Sequence, residues 1–329
     1  MVGSAGLSFA SARNRVLAVA PNPALDRVSL AFGARRGGTV RASEYLDTAG
    51  GKAVHVALVT AALGAPTTLV APLGGRRGER VRALLTGEPV ELVLVEISGE
   101  TRGTYSIVDQ DDGDVLEVIE PSPTLTPEEV GRLRQAVDRT SRAAAVVVGS
   151  GSLPGGVPTD FYAHVARTAR ERGALVLLDA SGKALAAALG ARPDLVKPNL
   201  TEAVAFLGCR APLENAPLRE LVELACAFRS KGARNAWLTL GARGSLLATS
   251  AGDVWHLSLS APRAVSAVGC GDALLGGLAA ALAEGRSLLE AARLGVAAAV
   301  DKLANLHPGR VRRASVRALV PRVAVERVA

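Results

Sequence analysis

Short apolar runs alternate with segments of helical periodicity along most of this chain, and no other feature limits the fold as strongly. The apolar runs predict buried strands at 16–20, 67–72, 143–148, 174–178, 194–196, 235–240 and 245–249. The intervening periodicity predicts helices at 52–63, 160–172, 185–189, 201–207, 217–230, 272–283 and 288–303. Strands that alternate with helices form a parallel sheet covered on both faces, so we expect an α/β fold.

Two segments depart from this alternation. Residues 28–47 are rich in Gly and Arg, and residues 90–120 contain two strand-like stretches on either side of a polar turn at 109–114. A polar, Gly-containing turn between two such stretches predicts a hairpin. We therefore expect a single domain over 1–329, with a small β lid contributed by roughly 28–47 and 90–120 and a flexible tail at 1–14.

Composition excludes several classes of protein. No apolar run in the 329 residues reaches the roughly 20 residues that a membrane span needs, and we expect no membrane partner. The N-terminal segment lacks the basic region of a signal peptide. Cys209, Cys226 and Cys270 are odd in number and widely spaced, which favours reduced thiols and a cytoplasmic location over disulfides or a zinc site.

The net charge of +7 comes almost wholly from scattered arginines. Aromatic residues make up only 3% of the chain, so the stacking platforms of nucleic-acid binders are nearly missing. We expect no nucleic-acid partner, and a mildly attractive field for anionic small molecules instead.

The segment Gly269-Cys270-Gly271-Asp272, which opens directly into an Ala-rich helix, predicts an anion site. Glycines permit a tight turn, and the unpaired amides and dipole at a helix N-terminus attract an anion. Asp272, fixed in the first turn, is then a candidate base for phosphoryl transfer. An ordinary Gly-rich loop with Asp272 as a helix-start residue is an equally good interpretation of this motif alone.

Gly50-Gly51-Lys52 has the same character, since a glycine turn, a helix start and an ammonium occur together. A capping turn with a solvated lysine explains it about as well. The chain contains neither a P-loop nor a dinucleotide-binding glycine fingerprint, so a P-loop NTPase and a Rossmann dehydrogenase lose their main support.

The order of several weak motifs is more specific than any one of them. They are Asn22-Pro23-Ala24-Leu25-Asp26, Gly50-Gly51-Lys52, Thr101-Arg102, Ser152-Leu153-Pro154, Lys197-Pro198-Asn199-Leu200-Thr201-Glu202, Leu240-Gly241-Ala242-Arg243-Gly244 and Gly269-Cys270-Gly271-Asp272. In this order the chain resembles the PfkB (ribokinase-like) carbohydrate kinases, and within them the 1-phosphofructokinase/tagatose-6-phosphate kinase branch. The resemblance implies a three-layer αβα sandwich with a central, mostly parallel sheet and a small β lid.

The resemblance also implies roles for individual residues. Asp272 matches the catalytic base, and Gly269, Cys270 and Gly271 would supply amides to the transferred phosphoryl group. The residues implied for the sugar phosphate are Asp26, Gly50, Gly51, Lys52, His55 and Arg102, with Arg102 on the phosphate already present. The residues implied for ATP are Lys197, Asn199, Glu202, Thr239, Gly241 and Gly244.

Asn199 and Glu202 are further implicated in holding Mg²⁺, through water because Mg²⁺ gives up its waters reluctantly. A capping box, with Asn199 as N-cap and Glu202 at N3, is the structural alternative. With the other motifs present, we favour the metal-linked role.

Some positions depart from the family pattern. Ala53 and His55 stand where Gly and Asn are usual, and Gly103 begins a stretch where Ile-Asn-Val is usual. Cys270 replaces a common Ala. Because a thiol at a helix N-terminus has a lowered pKa, we expect alkylation of Cys270 to inactivate the protein and ATP to protect it.

The resemblance therefore implies an ATP- and Mg²⁺-dependent kinase for a phosphorylated ketohexose. We expect fructose 1-phosphate, converted to fructose 1,6-bisphosphate. Tagatose-6-phosphate kinase or 6-phosphofructokinase activity are the close alternatives, and a non-catalytic phosphosugar-binding relative is the distant one. The family's habit of pairing lids implies a homodimer through the β lid.

Overall fold

A computed structural model describes residues 14–34, 37–111, 113–209, 216–261 and 264–329. The predicted tail, except for residue 14, lies outside the described residues. The described strands are β1 (Arg15–Val19), β2 (Ala24–Ala31), β3 (Ala42–Gly50), β4 (Thr67–Leu73), β5 (Val90–Glu96), β6 (Arg102–Asp109), β7 (Val115–Ile119), β8 (Ala144–Ser150), β9 (Leu175–Asp179), β10 (Leu195–Val196), β11 (Asn235–Thr239), β12 (Ser245–Ala248), β13 (Val254–Ser258) and β14 (Ala324–Arg327).

Ten of these strands form one sheet in the order β14-β13-β12-β11-β10-β9-β8-β1-β4-β5. The strands from β11 to β5 run parallel, whereas β12, β13 and β14 are antiparallel additions at one edge. The central strands are continuous apolar runs that are buried along their whole length, as a sheet covered on both faces requires. The predicted mostly parallel sheet is confirmed.

Helices cover both faces of this sheet. They are α1 (Lys52–Ala62), α2 (Gly75–Leu85), α3 (Pro127–Thr140), α4 (Phe161–Glu171), α5 (Gly182–Leu189), α6 (Leu200–Leu207), α7 (Leu218–Ser230), α8 (Cys270–Ala283), α9 (Leu288–Lys302) and α10 (Arg313–Leu319). One apolar cluster joins the sheet to α3, α4, α5 and α7, and a second joins it to α1, α8, α9 and α10. The arrangement is the three-layer αβα sandwich that we expected.

The lid is a separate four-stranded sheet in the order β3-β2-β6-β7. Its first two strands extend beyond the predicted 28–47, because they begin at Ala24 and end at Gly50. The prediction that the lid takes in residues from about 90 is wrong: β5 pairs in parallel with β4 and belongs to the main sheet. No helix was predicted on either side of β5, so its sequence fits either sheet. Only its pairing with β4 decides between the lid and the main sheet.

Helix α8 lies at the centre of one helical layer and carries the predicted anion site at its N-terminus. Its residues from Asp272 to Ala283 are all buried, which fits a helix that is apolar on every side. Gly276 packs against Val59 of α1, and Gly277 packs against Gly295 of α9. These close approaches hold α8, and therefore Asp272, between two neighbouring helices.

Among the helices that the structure describes, none has the length and apolar character to cross a membrane.

Candidate active site

Polar residues gather at the carboxyl ends of the parallel strands, beneath the lid. Asn22 follows β1, Asp179 ends β9, Lys197 follows β10 and Thr239 ends β11. In open α/β sheets this edge is where ligands bind, because loops and helix N-termini converge there. Helices α1, α6 and α8 all begin at this edge, and the structure brings most of the predicted site residues together around them.

His55 links the two predicted carboxylates of the sugar site. Its Nδ1 lies 2.9 Å from Oδ2 of Asp272, and its Nε2 lies 3.2 Å from Oδ2 of Asp26. The second contact is close but does not have the direction of a hydrogen bond. All three side chains are buried. We refer to Asp26, His55 and Asp272 as the histidine cluster.

The two carboxylates determine the charge of His55. Burial by itself would lower the pKa of the imidazole, but Asp26 and Asp272 outweigh it and raise that pKa to about 9. At neutral pH His55 is therefore an imidazolium, with both ring nitrogens carrying protons. The family's usual Asn could not supply this charge.

Gly50 makes room for Asp26. A Cβ atom at position 50 would lie only 2.0 Å from Cγ of Asp26, so any side chain there would displace the carboxylate. Gly50 ends β3 and pairs with Ala24, two residues before Asp26 on β2. The sequence motif thus has a steric reason in the tertiary structure.

A second cluster of charges has the reverse composition, with Asp179 and Lys197 buried and Lys52 partly exposed. Asp179 lies between Lys52 and Lys197, with Oδ1 at 3.3 Å from Nζ of Lys52 and Oδ2 at 3.2 Å from Nζ of Lys197. Burial raises the pKa of Asp179, but Lys197 and Lys52 outweigh it, so the pKa is lowered overall. We refer to Lys52, Asp179 and Lys197 as the lysine cluster.

Lys52 has partners that the sequence did not predict. The resemblance implies a place against the sugar, and the ammonium contacts Asp179 and also lies 3.2 Å from Oε1 of Glu202. Burial would lower the pKa of Lys52, yet the nearby carboxylates raise it well above its usual value. The charge of Lys52 therefore lies beside Glu202, one of the residues predicted for ATP.

The N-terminus of α8 joins the two clusters. Gly269 has a φ of 84°, and a Cβ there would lie 2.4 Å from the carbonyl oxygen of Pro308, so only glycine fits. A Cβ on Gly271 would lie 3.3 Å from Nζ of Lys197. The lysine ammonium is thus next to the first turn, where backbone amides have no acceptor inside the helix.

Two expectations about Cys270 change, one for its backbone amide and one for the pKa of its thiol. Its amide donates to the carbonyl oxygen of Ala267 at 3.2 Å, so the amides of Gly271 and Asp272 are better placed to meet an anion. Its thiol does not have a lowered pKa. Burial raises that pKa to about 11, and the charge of Asp272 adds to the rise while Lys302 opposes it. The expected lowering of the thiol pKa is wrong, because burial of the side chain raises that pKa.

Arg102 begins β6 on the inner side of the lid. Its Nη2 donates to the carbonyl oxygen of Asn22 at 3.3 Å. Its buried Nε has no hydrogen-bond partner among the described residues. Burial lowers the pKa of Arg102, which the charge of Asp26 partly offsets. A half-buried guanidinium whose Nε has no hydrogen-bond partner suits an anionic ligand.

Asn199 and Glu202 form a capping box at the start of α6. The Glu202 amide donates to Oδ1 of Asn199 at 2.8 Å, and the Asn199 amide donates to Oε2 of Glu202 at 3.0 Å. The structural alternative is therefore present. No group of three or more His, Cys, Asp or Glu side chains suited to a metal occurs within the described part of the chain. A role in holding Mg²⁺ through water is compatible with the cap, because both side chains remain partly exposed.

The remaining residues predicted for ATP lie next to the capping box. Thr239 forms a parallel bridge with Asn199, and Gly241 and Gly244 bound the short turn that follows. Gly244 lies against the carbonyl oxygen of Leu257, so its place in the motif has a structural reason as well.

Sequence reasoning missed Asp179 and the part played by Asn22. Asn22 donates through Nδ2 to Ser122 at 2.7 Å and to Ser152 at 2.9 Å, and so ties the end of β1 to two other loops. A signal for Asp179 existed: an acidic residue directly follows the predicted strand 174–178, at the edge where α/β proteins bind ligands.

The chain is similar to known proteins over most of its length. The family model described as pfkB family carbohydrate kinase matches residues 22–303. The chain is 31% identical over 296 residues to the ATP-dependent 6-phosphofructokinase isozyme 2 of Mycobacterium tuberculosis, covering 90% of this chain and 85% of that protein. It is 31% identical over 295 residues to the 1-phosphofructokinase of Rhodobacter capsulatus, covering 89% and 92%. The crystal structure of a possible 1-phosphofructokinase from Thermotoga maritima superposes with a TM-score of 0.85 at 25% identity, covering 96% of this chain and all of that one.

Proposed function

The chain belongs to the pfkB family of carbohydrate kinases, and on that premise we propose that it transfers the γ-phosphoryl group of ATP to the 6-hydroxyl of fructose 1-phosphate. That it is a sugar-phosphate kinase follows from its relatives. The observation that carries the residue roles is the position of Asp272. Its carboxylate is in the first turn of α8, beside free helix amides and in contact with His55.

Asp272 is the base of the proposed reaction. His55 contacts Oδ2, which leaves Oδ1 to face the acceptor hydroxyl. As the hydroxyl oxygen forms its bond to the γ-phosphorus, its proton passes to Asp272 and the bond from phosphorus to the β,γ-bridging oxygen breaks, releasing ADP. His55 holds the Asp272 carboxylate in place, and phosphoryl transfer depends mainly on positioning and charge neutralisation.

The lysine cluster and the α8 amides receive the transferred group. Lys197 is buried with its ammonium near Gly271, and the amides of Gly271 and Asp272 belong to the first turn, where amides have no acceptor inside the helix. These donors are fixed before the substrate arrives, so charge that develops on the phosphoryl oxygens is met without rearrangement. Gly269 sets the turn that aims them.

The sugar phosphate lies between the histidine cluster and the lid in this proposal. Asp26 accepts hydrogen bonds from sugar hydroxyls, and Gly50 and Gly51 allow the backbone to approach the ring. Arg102 binds the phosphate already present. The half-buried guanidinium with its unused Nε supports this role, because guanidinium and phosphate pair in a bidentate manner.

ATP lies along Lys197, Thr239, Gly241 and Gly244, with Lys52 near its terminal phosphates. Asn199 and Glu202 hold Mg²⁺ through water, and the ion, when bound, neutralises charge on the phosphates of ATP. Support comes from the partly exposed edge of the capping box, which faces the ammonium of Lys52.

Fructose 6-phosphate phosphorylated at the 1-hydroxyl is the second candidate, because relatives of equal identity carry the 6-phosphofructokinase name. Tagatose 6-phosphate is the third. A panel of fructose 1-phosphate, fructose 6-phosphate, tagatose 6-phosphate and unphosphorylated fructose, assayed for ADP release with Mg²⁺ and ATP, separates them. The highest kcat/KM on fructose 1-phosphate is expected, and a higher value on another sugar would replace this assignment.

The Arg102→Met variant is the companion experiment. A charged hydrogen bond contributes roughly 1.5–3 kcal/mol, so kcat/KM for the phosphorylated sugar should fall by about 10- to 150-fold. The KM for ATP should stay unchanged. An equal loss on unphosphorylated fructose would show that Arg102 does not bind the substrate phosphate.

A second copy of the chain is the proposed partner of the lid. The outward face of the lid carries Tyr45, Tyr105, Leu116 and Val118, which are exposed and apolar or aromatic. An exposed apolar patch of this kind on a sheet indicates an interface. Sedimentation should give a dimer that the Val118→Lys variant dissociates; a monomeric parent protein would disprove the proposal.

A cytoplasmic location is part of the same proposal. The three cysteines are all free thiols, which fits a reducing compartment, and ATP supply fits it as well.

A further inference from the structure

We propose that Lys302 is a positioning residue that serves as a built-in monovalent cation, holding the loop before α8 so that the α8 amides meet the transferred phosphoryl group. The inference rests on the proposed function and adds a residue that the motifs do not include.

Lys302 ends α9 and is fully buried. Its ammonium donates to the backbone carbonyl oxygens of Ser266 at 2.8 Å and of Asn305 at 3.0 Å. No carboxylate of the described residues forms an ion pair with it. The adjacent Asp301 is also buried, but its side chain accepts instead from the backbone and guanidinium of Arg312, at 2.7 and 3.1 Å. Burying a charge without an opposite charge is costly, so this arrangement calls for an explanation.

The two carbonyl groups belong to two different segments of the chain. Ser266 is in the loop that leads into α8, and Asn305 follows α9. The loop is tied to the same region twice more, because the Val265 amide donates to the Leu303 carbonyl at 2.7 Å and Gly269 packs on Pro308. The direction of the first α8 amides therefore depends on how 302–308 hold the loop.

The ammonium does what a bound monovalent ion does in a carbonyl cage. It presents one positive charge to converging carbonyl dipoles, and no carboxylate intervenes. A tethered ammonium differs from a free ion in that it needs no binding equilibrium. A neutral side chain would leave both carbonyl groups without a donor in a buried place.

The charge also acts on the catalytic end of α8. Cys270 and Asp272 on α8 are close enough to influence Lys302, and His307 after α9 experiences its positive charge. Burial lowers the pKa of Lys302 to about 8, with Cys270 and Asp272 opposing the fall. The ammonium thus adds to the positive field that the helix N-terminus presents to a phosphoryl group.

The first test uses the wild-type protein. Its kcat on the best sugar phosphate should stay within about twofold when potassium is replaced by tetramethylammonium, an ion too large for a carbonyl cage, at equal ionic strength. Strong activation of the wild type by potassium would overturn the inference, because the cage would then need a free ion.

The second test removes the ammonium of Lys302. Lys302→Ala should lose about 100-fold in kcat, as expected when donors at the reacting group are misplaced, with a small change in KM for ATP. Potassium or ammonium should raise the kcat of this variant at least about tenfold, and tetramethylammonium should not. A loss that no small cation restores, in a variant that still binds ATP, would show a merely structural side chain.

Two further variants keep the test decisive. Lys302→Met preserves length without charge and should match the alanine variant but resist rescue, because its side chain fills the cage. Full activity of Lys302→Met would overturn the inference. Lys183→Ala, on the exposed surface of α5, should behave as wild type under every salt.

Failure of the proposed function has a different signature. If the wild type turns over no sugar phosphate, the substrate assignment fails, yet the cage can still be tested by thermal unfolding. Potassium should raise the Tm of Lys302→Ala more than that of the wild type, and an equal effect on both would overturn the inference independently.

Discussion

The histidine cluster and the lysine cluster solve the same problem with opposite charges. In the first, one cation lies between two carboxylates; in the second, one carboxylate lies between two ammonium groups. The central residue of each cluster, His55 or Asp179, is buried and needs its charged partners to remain ionised. The pKa of His55 is about 9, whereas the pKa of Lys52 is raised far above neutrality and that of Asp179 is lowered.

The difference is therefore one of proton exchange. In the lysine cluster the pKa of Lys52 is raised and that of Asp179 is lowered, so both stay charged near neutral pH, which suits a fixed receptor for phosphoryl oxygens. In the histidine cluster, His55 can lose its proton in mild alkali, because its pKa is about 9. The same cluster contains the proposed base. The comparison predicts that changes in the histidine cluster affect chemistry and pH dependence, and that changes in the lysine cluster affect stability.

The largest effect is expected from Asp272→Asn. An amide cannot accept the hydroxyl proton, so kcat should fall by about 10²- to 10⁴-fold, the usual contribution of a positioned base. Binding of ATP, measured by calorimetry, should remain. Retention of most of the wild-type kcat would remove Asp272 from the mechanism and erase the functional contrast between the clusters.

Asp179→Asn tests the lysine cluster. Removing the carboxylate leaves the buried ammonium of Lys197 without an opposite charge, and breaking a buried pair in this way costs about 3–5 kcal/mol of unfolding free energy. Urea denaturation measures this loss. The control is Glu223→Gln in the exposed pair with Arg219, which should cost less than about 0.5 kcal/mol. Equal losses in the two variants would mean that the buried cluster is not held by its charges.

The pH dependence of unfolding tests the histidine cluster. The folded-state pKa of His55 is raised from 6.5 to about 9, so its stabilising contribution is fully present below pH 6.5 and is lost as the pH rises through 9. The His55→Asn variant should lack this decline, although other groups still contribute to both proteins. The matched control is His164→Asn, whose contact with Asp138 is partly exposed. A parallel decline in wild type and His55→Asn would contradict the imidazolium assignment.

The smallest effect is expected at Cys270. Because burial raises the pKa of its thiol to about 11, iodoacetamide near neutral pH should modify the exposed Cys209 first and leave the activity intact. Cys270→Ala should keep kcat within about twofold. Rapid, ATP-sensitive inactivation traced to Cys270 by mass spectrometry would restore the original expectation of a reactive thiol.

Local patterns predicted much of the framework. The strand at 235–240 and the helix at 52–63 have nearly the predicted bounds, because apolar periodicity depends on neighbouring residues. Helix α3 was not predicted, although Thr126, Pro127 and Glu129 form a clear start signal with a complete capping box. Strands β13 and β14 were also missed, because short strands at a sheet edge depend on the partner that they pair with.

The sequence by itself determined the alternation of elements, the glycines that shape the turns and the identity of the residues at the helix starts. Only the tertiary structure decided which charges meet. His55 and Asp272 are 217 residues apart, Lys52 turned out to face Asp179, and the burial of Cys270 reversed the expected shift of its pKa. The physical reason is that periodicity acts between near neighbours, whereas desolvation and ion pairing depend on segments that packing alone brings together.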